Sequence, residues 1–202
     1  MDSSLAALTD EDLAIKALKN DKLALGELFK RYHKRFFNLA YRFSGDYYAA
    51  DDLTSEIFLR IYRYLRSFDR AKASFKTWGY KIAANVCLTF QSQKVKVKIQ
   101  KLNTKLKNED GEETETLEDM IPDPKVDLLK EVEINEIGQR IQKALGELPK
   151  KPRLSLYFFY FEDLKYEEIA VTLELPINTV RTHIRRGKEK LKIELKDLID
   201  GR

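Results

Sequence analysis

Cysteine occurs once in this chain, at Cys87, so no disulfide can form within it and a disulfide-stapled fold is excluded. On an apolar helix face that residue reads as a small buried side chain rather than a reactive thiol. Histidine occurs twice, at His33 and His183, each isolated in sequence, so neither a metal centre nor a nucleophile–base pair is legible. No apolar run is long enough to span a bilayer. The opening "MDSSLAALTDEDL" also lacks the basic start and apolar stretch of a signal peptide. The expectation is a cytoplasmic protein with no membrane span of its own. The most telling absence is local: between Arg70 and Asn108 there are ten Lys or Arg and no Asp or Glu.

Within that acid-free stretch, "FKTWGYKIAANVCLTF", residues 75–90, sets four aromatic rings beside two lysines. Trp78, Ile82, Val86 and Phe90 recur every fourth residue, which is the spacing of a packed helix face. The net charge of +4 is modest, but its distribution is not. "NEDGEETETLED", residues 108–119, carries seven acids and no base, and "RTHIRRGKEKLKIELK", residues 181–196, carries seven bases against two acids. Alternating blocks of this kind suggest surfaces that face different partners. With 43% hydrophobic residues over 202 positions, one large or two small domains can bury a core.

Periodicity predicts helices nearly throughout, so the expected class is all-α. Thr9, with an acid three residues on, opens the first pattern as a capping box. Leu25, Leu28, Phe29, Tyr32, Phe36, Leu39 and Phe43 then keep one face apolar as far as Ser44-Gly45. The next helix begins near Asp46 and turns Ala50, Leu53, Ile57, Ile61 and Leu65 inward, with Asp52, Ser55, Glu56, Arg60 and Arg63 on another face. A further helix takes in residues 75–90 and runs on into "QSQKVKVKIQKL", whose period-two alternation also fits a short strand. Hydrophobic periodicity lapses over 103–125, where Gly111, Pro122 and Pro124 punctuate the chain. It resumes at "VDLLKEVEINEIGQRIQKALGEL", pauses at Pro149 and Pro152, and restarts at "RLSLYFFYFEDL". The expected organisation is a helical domain over 1–100, a flexible acidic linker over 101–125 and a second helical domain over 126–202.

The most specific pattern is "YEEIAVTLELPINTVRTHIRRGKEKL", residues 166–191. A short helix turns Ile169 and Leu173 inward, Ala170 leaves room for a neighbour, and "ELP" reverses the chain. A second helix, capped by Asn178 or Thr179, turns Val180 and Ile184 inward. That is the grammar of a helix-turn-helix, in which the second helix enters the major groove. Arg181, Thr182, Arg185, Arg186 and Lys188 share much of its outer surface, where arginine can pair with guanine and any base can hold phosphate. This stretch resembles the promoter-reading region four of bacterial sigma factors, especially the compact extracytoplasmic-function group. It departs from them at Glu174, where the family often has glycine in the turn, and at Asn178. If the backbone at 174 is left-handed, Glu costs on the order of 1 kcal/mol relative to Gly.

The resemblance extends to the N-terminal half. "DDLTSEIFLRIYRYLRSFD", residues 51–69, resembles the polymerase-binding helix of that family, and "FKTWGYKIAANV" resembles its promoter-melting segment. By that resemblance the face of Asp52, Ser55 and Glu56 docks on the clamp helices of the polymerase beta-prime subunit. Opening a duplex exposes unstacked bases, and an aromatic ring that stacks one returns ~1–3 kcal/mol. Phe75, Trp78, Lys81 and Asn85 are the candidates for contact with the melted strand, Trp78 serving alternatively as a packed brace. Ile82, Val86 and Phe90 are assigned to the core. The acidic linker would thread toward the basic polymerase channel as a nucleic-acid mimic, or serve as a solvated tether.

The reading is a dissociable RNA polymerase initiation factor without catalytic residues, cofactor or metal. Its partners would be core polymerase through the beta-prime and beta subunits, promoter DNA and, by resemblance, an anti-sigma factor. Two other readings remain at this point. One is a stand-alone helix-turn-helix regulator. The other is a DNA-processing enzyme, for which no nucleophile or carboxylate cluster is evident.

Overall fold

In a computed structural model the described residues are 3–105, 143–194 and 196, and they hold α-helices and one 3-10 turn but no strand. The order is α1 (Ser3–Ala6), α2 (Asp10–Leu18), α3 (Lys22–Ser44), α4 (Tyr47–Tyr64), the 3-10 turn Leu65–Ser67, α5 (Phe75–Lys105), α6 (Lys150–Phe161), α7 (Tyr166–Leu173) and α8 (Ile177–Glu194). A further helical turn spans 143–146. The acidic stretch 108–119 and most of the segment expected as a linker lie outside the described residues. No described helix is long and apolar enough to cross a membrane.

Local chemistry sets the helix ends. Thr9 Oγ1 accepts from the Asp12 amide at 3.1 Å and donates to the Asp12 carboxylate at 2.8 Å, which closes the first turn of α2. Such a cap contributes about 1 kcal/mol. Asp21 accepts from the amides of Leu23 and Ala24 to start α3, and Asp46 from the amide of Ala49 to start α4. Between them α3 ends at Gly45, whose φ of 71° suits a residue without Cβ. In α6, Pro149 precedes the first residue and Pro152 lies in the first turn, where its missing N–H is no loss. The period-two run after Gln91 continues as helical backbone to Lys105 rather than as a strand.

The N-terminal unit packs α3 along α4, with α2 and α5 against them. Ala50, Leu53, Ile57, Ile61 and Leu65 are all buried, as their spacing requires. On α3 Leu28, Tyr32, Phe36, Leu39 and Phe43 are buried, but Phe29 is 46% exposed and covers Phe58 at a ring distance of 4.3 Å. Arg31 holds the first two helices onto α3. Its guanidinium donates to the carbonyls of Leu5, Ala6 and Leu8 and to Asp10 at 2.7 Å, and pairing with Asp10 raises its pKa. Cys87 is fully buried, and desolvation pushes its thiol up to about 12, so it stays protonated and unreactive.

The C-terminal unit sets α6 along α8, with α7 against both. The closest approach is at Gly187, where an added Cβ would lie 2.4 Å from Leu156 Cδ1. A side chain at that point would require Leu156 to shift. The two units touch, because α5 lies against α7, the ring of Tyr80 packs 5.3 Å from that of Phe158, and the Arg42 guanidinium sits 4.2 Å above the ring of Phe161.

Candidate nucleic-acid and polymerase interfaces

The helix-turn-helix is built from α7 and α8. Lys165 precedes α7, and its backbone amide donates to the Glu168 carboxylate at 2.8 Å, one arm of a capping box. Ile169 and Leu173 face inward and meet Val180 and Ile184, all four being buried. The reversal falls at Glu174, with φ 51° and ψ 55°. The turn therefore does require a left-handed backbone at the position where the sequence departs from glycine. The start of α8 falls two to three residues earlier than expected. The amides of Thr179 and Val180 donate to the Pro176 carbonyl, so Asn178 and Thr179 lie inside the first turn rather than capping it. Pro176 fixes φ ahead of the helix.

The candidate duplex contacts share the outer surface. Arg181, Arg185, Arg186 and Lys188 are exposed and Thr182 is partly buried, its hydroxyl donating to the Asn178 carbonyl at 2.9 Å. Arg181 is oriented by Asn178 Oδ1 at 3.1 Å, while Arg185 pairs with Glu189 at 2.7 Å, so the two arginines are held differently. The inner side carries His183, whose pKa is lowered by burial and by the charges of Lys151 and Arg186, with Ser155 Oγ 3.4 Å from its Nδ1. His183 is a packing residue with a neutral ring.

On α4, Asp52 and Ser55 are exposed, and Glu56, partly buried, pairs with Arg60 at 2.5 Å. Leu59 and Tyr62 continue the line of Asp52 and Ser55, and they are 49% and 64% exposed. Periodicity alone does not single out these two apolar residues. The signal was available, since the inward set of α4 was already complete without them. A polar face extended by exposed apolar side chains is what a protein-binding surface needs, because the apolar part supplies affinity and the charges supply register.

The strip on α5 divides in two. The helix begins where Ser74 Oγ accepts from the Thr77 amide at 3.1 Å and Glu11 of α2 accepts from the Phe75 amide at 2.8 Å. Phe75 does not meet the expectation of a strand contact. It is 1% exposed and packs edge-on against Tyr32 and Phe68, because the Glu11 bond draws the start of the helix onto α2. Trp78, partly buried, leans on Phe68 and Phe75 at 5.5 and 5.6 Å and so braces the turn before α5. Val86 is buried, whereas Ile82 and Phe90 pack only partly against the core. Asn85 is exposed. Lys81 is partly exposed, and its ammonium lies 2.7 Å from Glu174 of the helix-turn-helix.

Sequence reasoning missed the residues at the seam between the units. Lys76 Nζ donates to the Glu162 carbonyl, and Thr77 Oγ1 lies 3.3 Å from Glu168. The Glu162 carboxylate is buried, accepts from Tyr157 Oη at 3.1 Å and stands 3.7 Å from Arg35 of α3. Tyr80 Oη is buried nearby, and burial together with the Glu162 charge pushes its phenol well above the ordinary range. Among the described residues no group of His, Cys, Asp and Glu is arranged to hold a metal.

This arrangement is shared with known proteins. Residues 28–96 match the sigma-70 region 2 family model and residues 138–191 match that of sigma-70 region 4. The chain is 31% identical over 183 residues to the ECF RNA polymerase sigma factor SigW of Bacillus subtilis, covering 89% of this chain and 93% of that protein. It is 30% identical over 194 residues to the ECF RNA polymerase sigma-E factor of Escherichia coli K12, covering 95% and 97%. Two solved structures share the fold. One is the sigma factor RpoE with the anti-sigma factor NepR from Bartonella quintana, at TM-score 0.56 and 21% identity, covering 85% of this chain and 96% of that one. The other is CnrH with the cytosolic domain of CnrY, at TM-score 0.64 and 18% identity, covering 93% and 97%. With both family models matched in order and the relatives aligned over nearly their whole length, the chain belongs to the extracytoplasmic-function group of sigma-70-type RNA polymerase sigma factors.

Proposed function

We propose that this chain directs promoter-specific transcription initiation as the dissociable specificity subunit of a bacterial RNA polymerase. The observation that carries the reading is a pairing within one chain. A helix-turn-helix with five basic side chains exposed on α8 accompanies an N-terminal unit whose α4 offers a mixed charged and apolar face. A stand-alone regulator needs the first and would use the second only to dimerise.

The roles divide by surface. Asp52, Ser55 and Glu56, extended by Leu59 and Tyr62, would dock on core polymerase at the beta-prime clamp. Arg181, Thr182, Arg185, Arg186 and Lys188 would read the duplex minus-thirty-five element. Trp78, Lys81 and Asn85 would meet the melted minus-ten strand, with Phe75 supporting Trp78 from the core. The chain itself makes and breaks no covalent bond; synthesis belongs to the polymerase. It would act in the cytoplasm, on the nucleoid when engaged. An anti-sigma factor would be a further partner, as the similar RpoE structure is a complex with the anti-sigma factor NepR. The test is transcription in vitro with purified core polymerase across a promoter library. Initiation at a defined subset of promoters is expected, and its absence would return the stand-alone regulator to first place.

A further inference from the structure

Asparagine at the start of a helix ordinarily accepts from a backbone amide, and Asn178 does not. The amides of Thr179 and Val180 donate to the Pro176 carbonyl, which relieves the Asn178 side chain of capping. Its Oδ1 accepts instead from Arg181 Nη1 at 3.1 Å, three residues on along the same exposed face. Its backbone carbonyl accepts from the Thr182 hydroxyl at 2.9 Å. Asn178 is thus bonded to two neighbouring residues of the candidate reading surface. We infer that Asn178 is a positioning residue that sets promoter specificity. It holds the Arg181 guanidinium ready to pair with the edge of a guanine in the minus-thirty-five duplex.

This inference rests on the proposed function and deepens it at one position. The chemistry distinguishes Arg181 from Arg185. Arg185 Nη1 is bound to Glu189 at 2.7 Å, and that carboxylate offsets the charge a phosphate or base would use. An amide oxygen orients a guanidinium without offsetting its charge. The bond to Asn178 takes up Nη1 and leaves the edge formed by Nε and Nη2, whose parallel donors match O6 and N7 of guanine. The place in the helix agrees, because the N-terminal residues of a recognition helix are the ones that reach base edges. Asn178 and Arg181 both lie in the opening turns of α8. Asn178 is also one of the places where the helix-turn-helix departs from the pattern of the family it resembles. Its side chain is exposed and its bond goes to another exposed side chain, so no core contact depends on it. Asparagine is a poorer helix former than alanine, so replacing it with alanine should not weaken α8.

The test uses the full chain assembled with core polymerase and a pool of promoter duplexes randomised over the minus-thirty-five element. The wild type should enrich guanine at one position, and Arg181→Ala should abolish that enrichment. Asn178→Ala should lower it about three- to tenfold, the scale set by the freedom of one long side chain. Preferences at the other positions and the thermal melt should not change. Asn178→Asp keeps an acceptor at the same place and suits a helix start, so guanine enrichment should stay within about twofold of wild type. Its added negative charge should weaken binding to every duplex alike, an effect that a purely structural residue would not show. In the double change Asn178→Ala with Arg181→Ala, the loss should equal that of Arg181→Ala alone. Undiminished guanine enrichment by Asn178→Ala, a further loss in the double change, or a melt lowered in step with every preference would overturn the positioning role. Enrichment of another base at the position that depends on Arg181 would overturn the assignment to guanine. A wild-type chain that enriches no sequence would overturn the inference together with the functional reading. A selective wild type whose Asn178→Ala variant selects the same sequences would remove the inference alone.

Discussion

Phe75 and Asn85 stand ten positions apart on one helix and have opposite fates. Phe75 is sealed between Tyr32, Phe68 and Trp78, while Asn85 is exposed. Phe75→Ala should therefore destabilise the N-terminal unit by ~3–5 kcal/mol, the range for deleting a buried aromatic side chain. Asn85→Ala should leave stability within ~0.5 kcal/mol and impair strand opening. A denaturant melt and permanganate reactivity of promoter thymines separate the two effects. If Asn85→Ala unfolds the unit, the strip is core throughout. If Phe75→Ala melts normally and only opening suffers, its ring leaves the core in the working complex. The expected pair of results answers why rings and lysines share this helix: the rings turned inward build the unit, and the lysines turned outward hold an anion.

Each helix presents two faces with separate duties, and substitutions on the outer face should change binding without unfolding anything. On α4 the double change Asp52→Ala with Glu56→Ala removes two acids and one partly buried i,i+4 pair with Arg60, a kind of helix pair worth only ~0.3–0.5 kcal/mol to folding. Competition for core polymerase should weaken while the far-ultraviolet circular dichroism spectrum stays the same; normal competition would remove this face from the interface. On α8, Arg181 is presented by Asn178 whereas Arg185 is engaged by Glu189. Arg181→Ala should accordingly cost ~1–3 kcal/mol and relax preference at one promoter position. Lys188→Ala should weaken all duplexes alike and reduce the salt slope by about one. Binding isotherms at several salt concentrations on a small set of operator variants decide this, and equal losses on every sequence for Arg181→Ala would make it a phosphate contact.

Across the molecule the two units touch through α5, α6 and α7. Gly187→Val puts a branched side chain where even a Cβ would lie 2.4 Å from Leu156 Cδ1, so Leu156 must repack or α8 must shift, at a cost of ~1–3 kcal/mol. Since Phe158 of α6 packs on Tyr80 of α5, the disturbance should be felt in the other unit. Amide hydrogen exchange over residues 77–85 should speed up in the Gly187→Val chain, although those amides lie on another helix in the N-terminal unit. Exchange there that matches the wild type would mean that the seam carries no coupling.

Much of this was legible in one dimension because helices are local objects. Spacing of apolar residues named the buried faces of α3, α4, α7 and α8, and Thr9, Asp46 and Gly45 marked ends through bonds to residues at most four positions away. The helix-turn-helix and its basic outer surface follow from the same short-range rules. Contacts between residues far apart in the chain follow no such periodicity, and those decided the rest. Phe75 was turned inward by Glu11, sixty-four positions earlier, and Lys81 was claimed by Glu174. Glu162, in sequence one acid among many, became the buried centre of the seam because Tyr157 and Arg35 converge on it from two different helices. A helix pattern specifies which side of a segment is apolar. Which partner covers it, and which charges meet across the gap, depends on the burial and pairing achieved when all the segments pack at once.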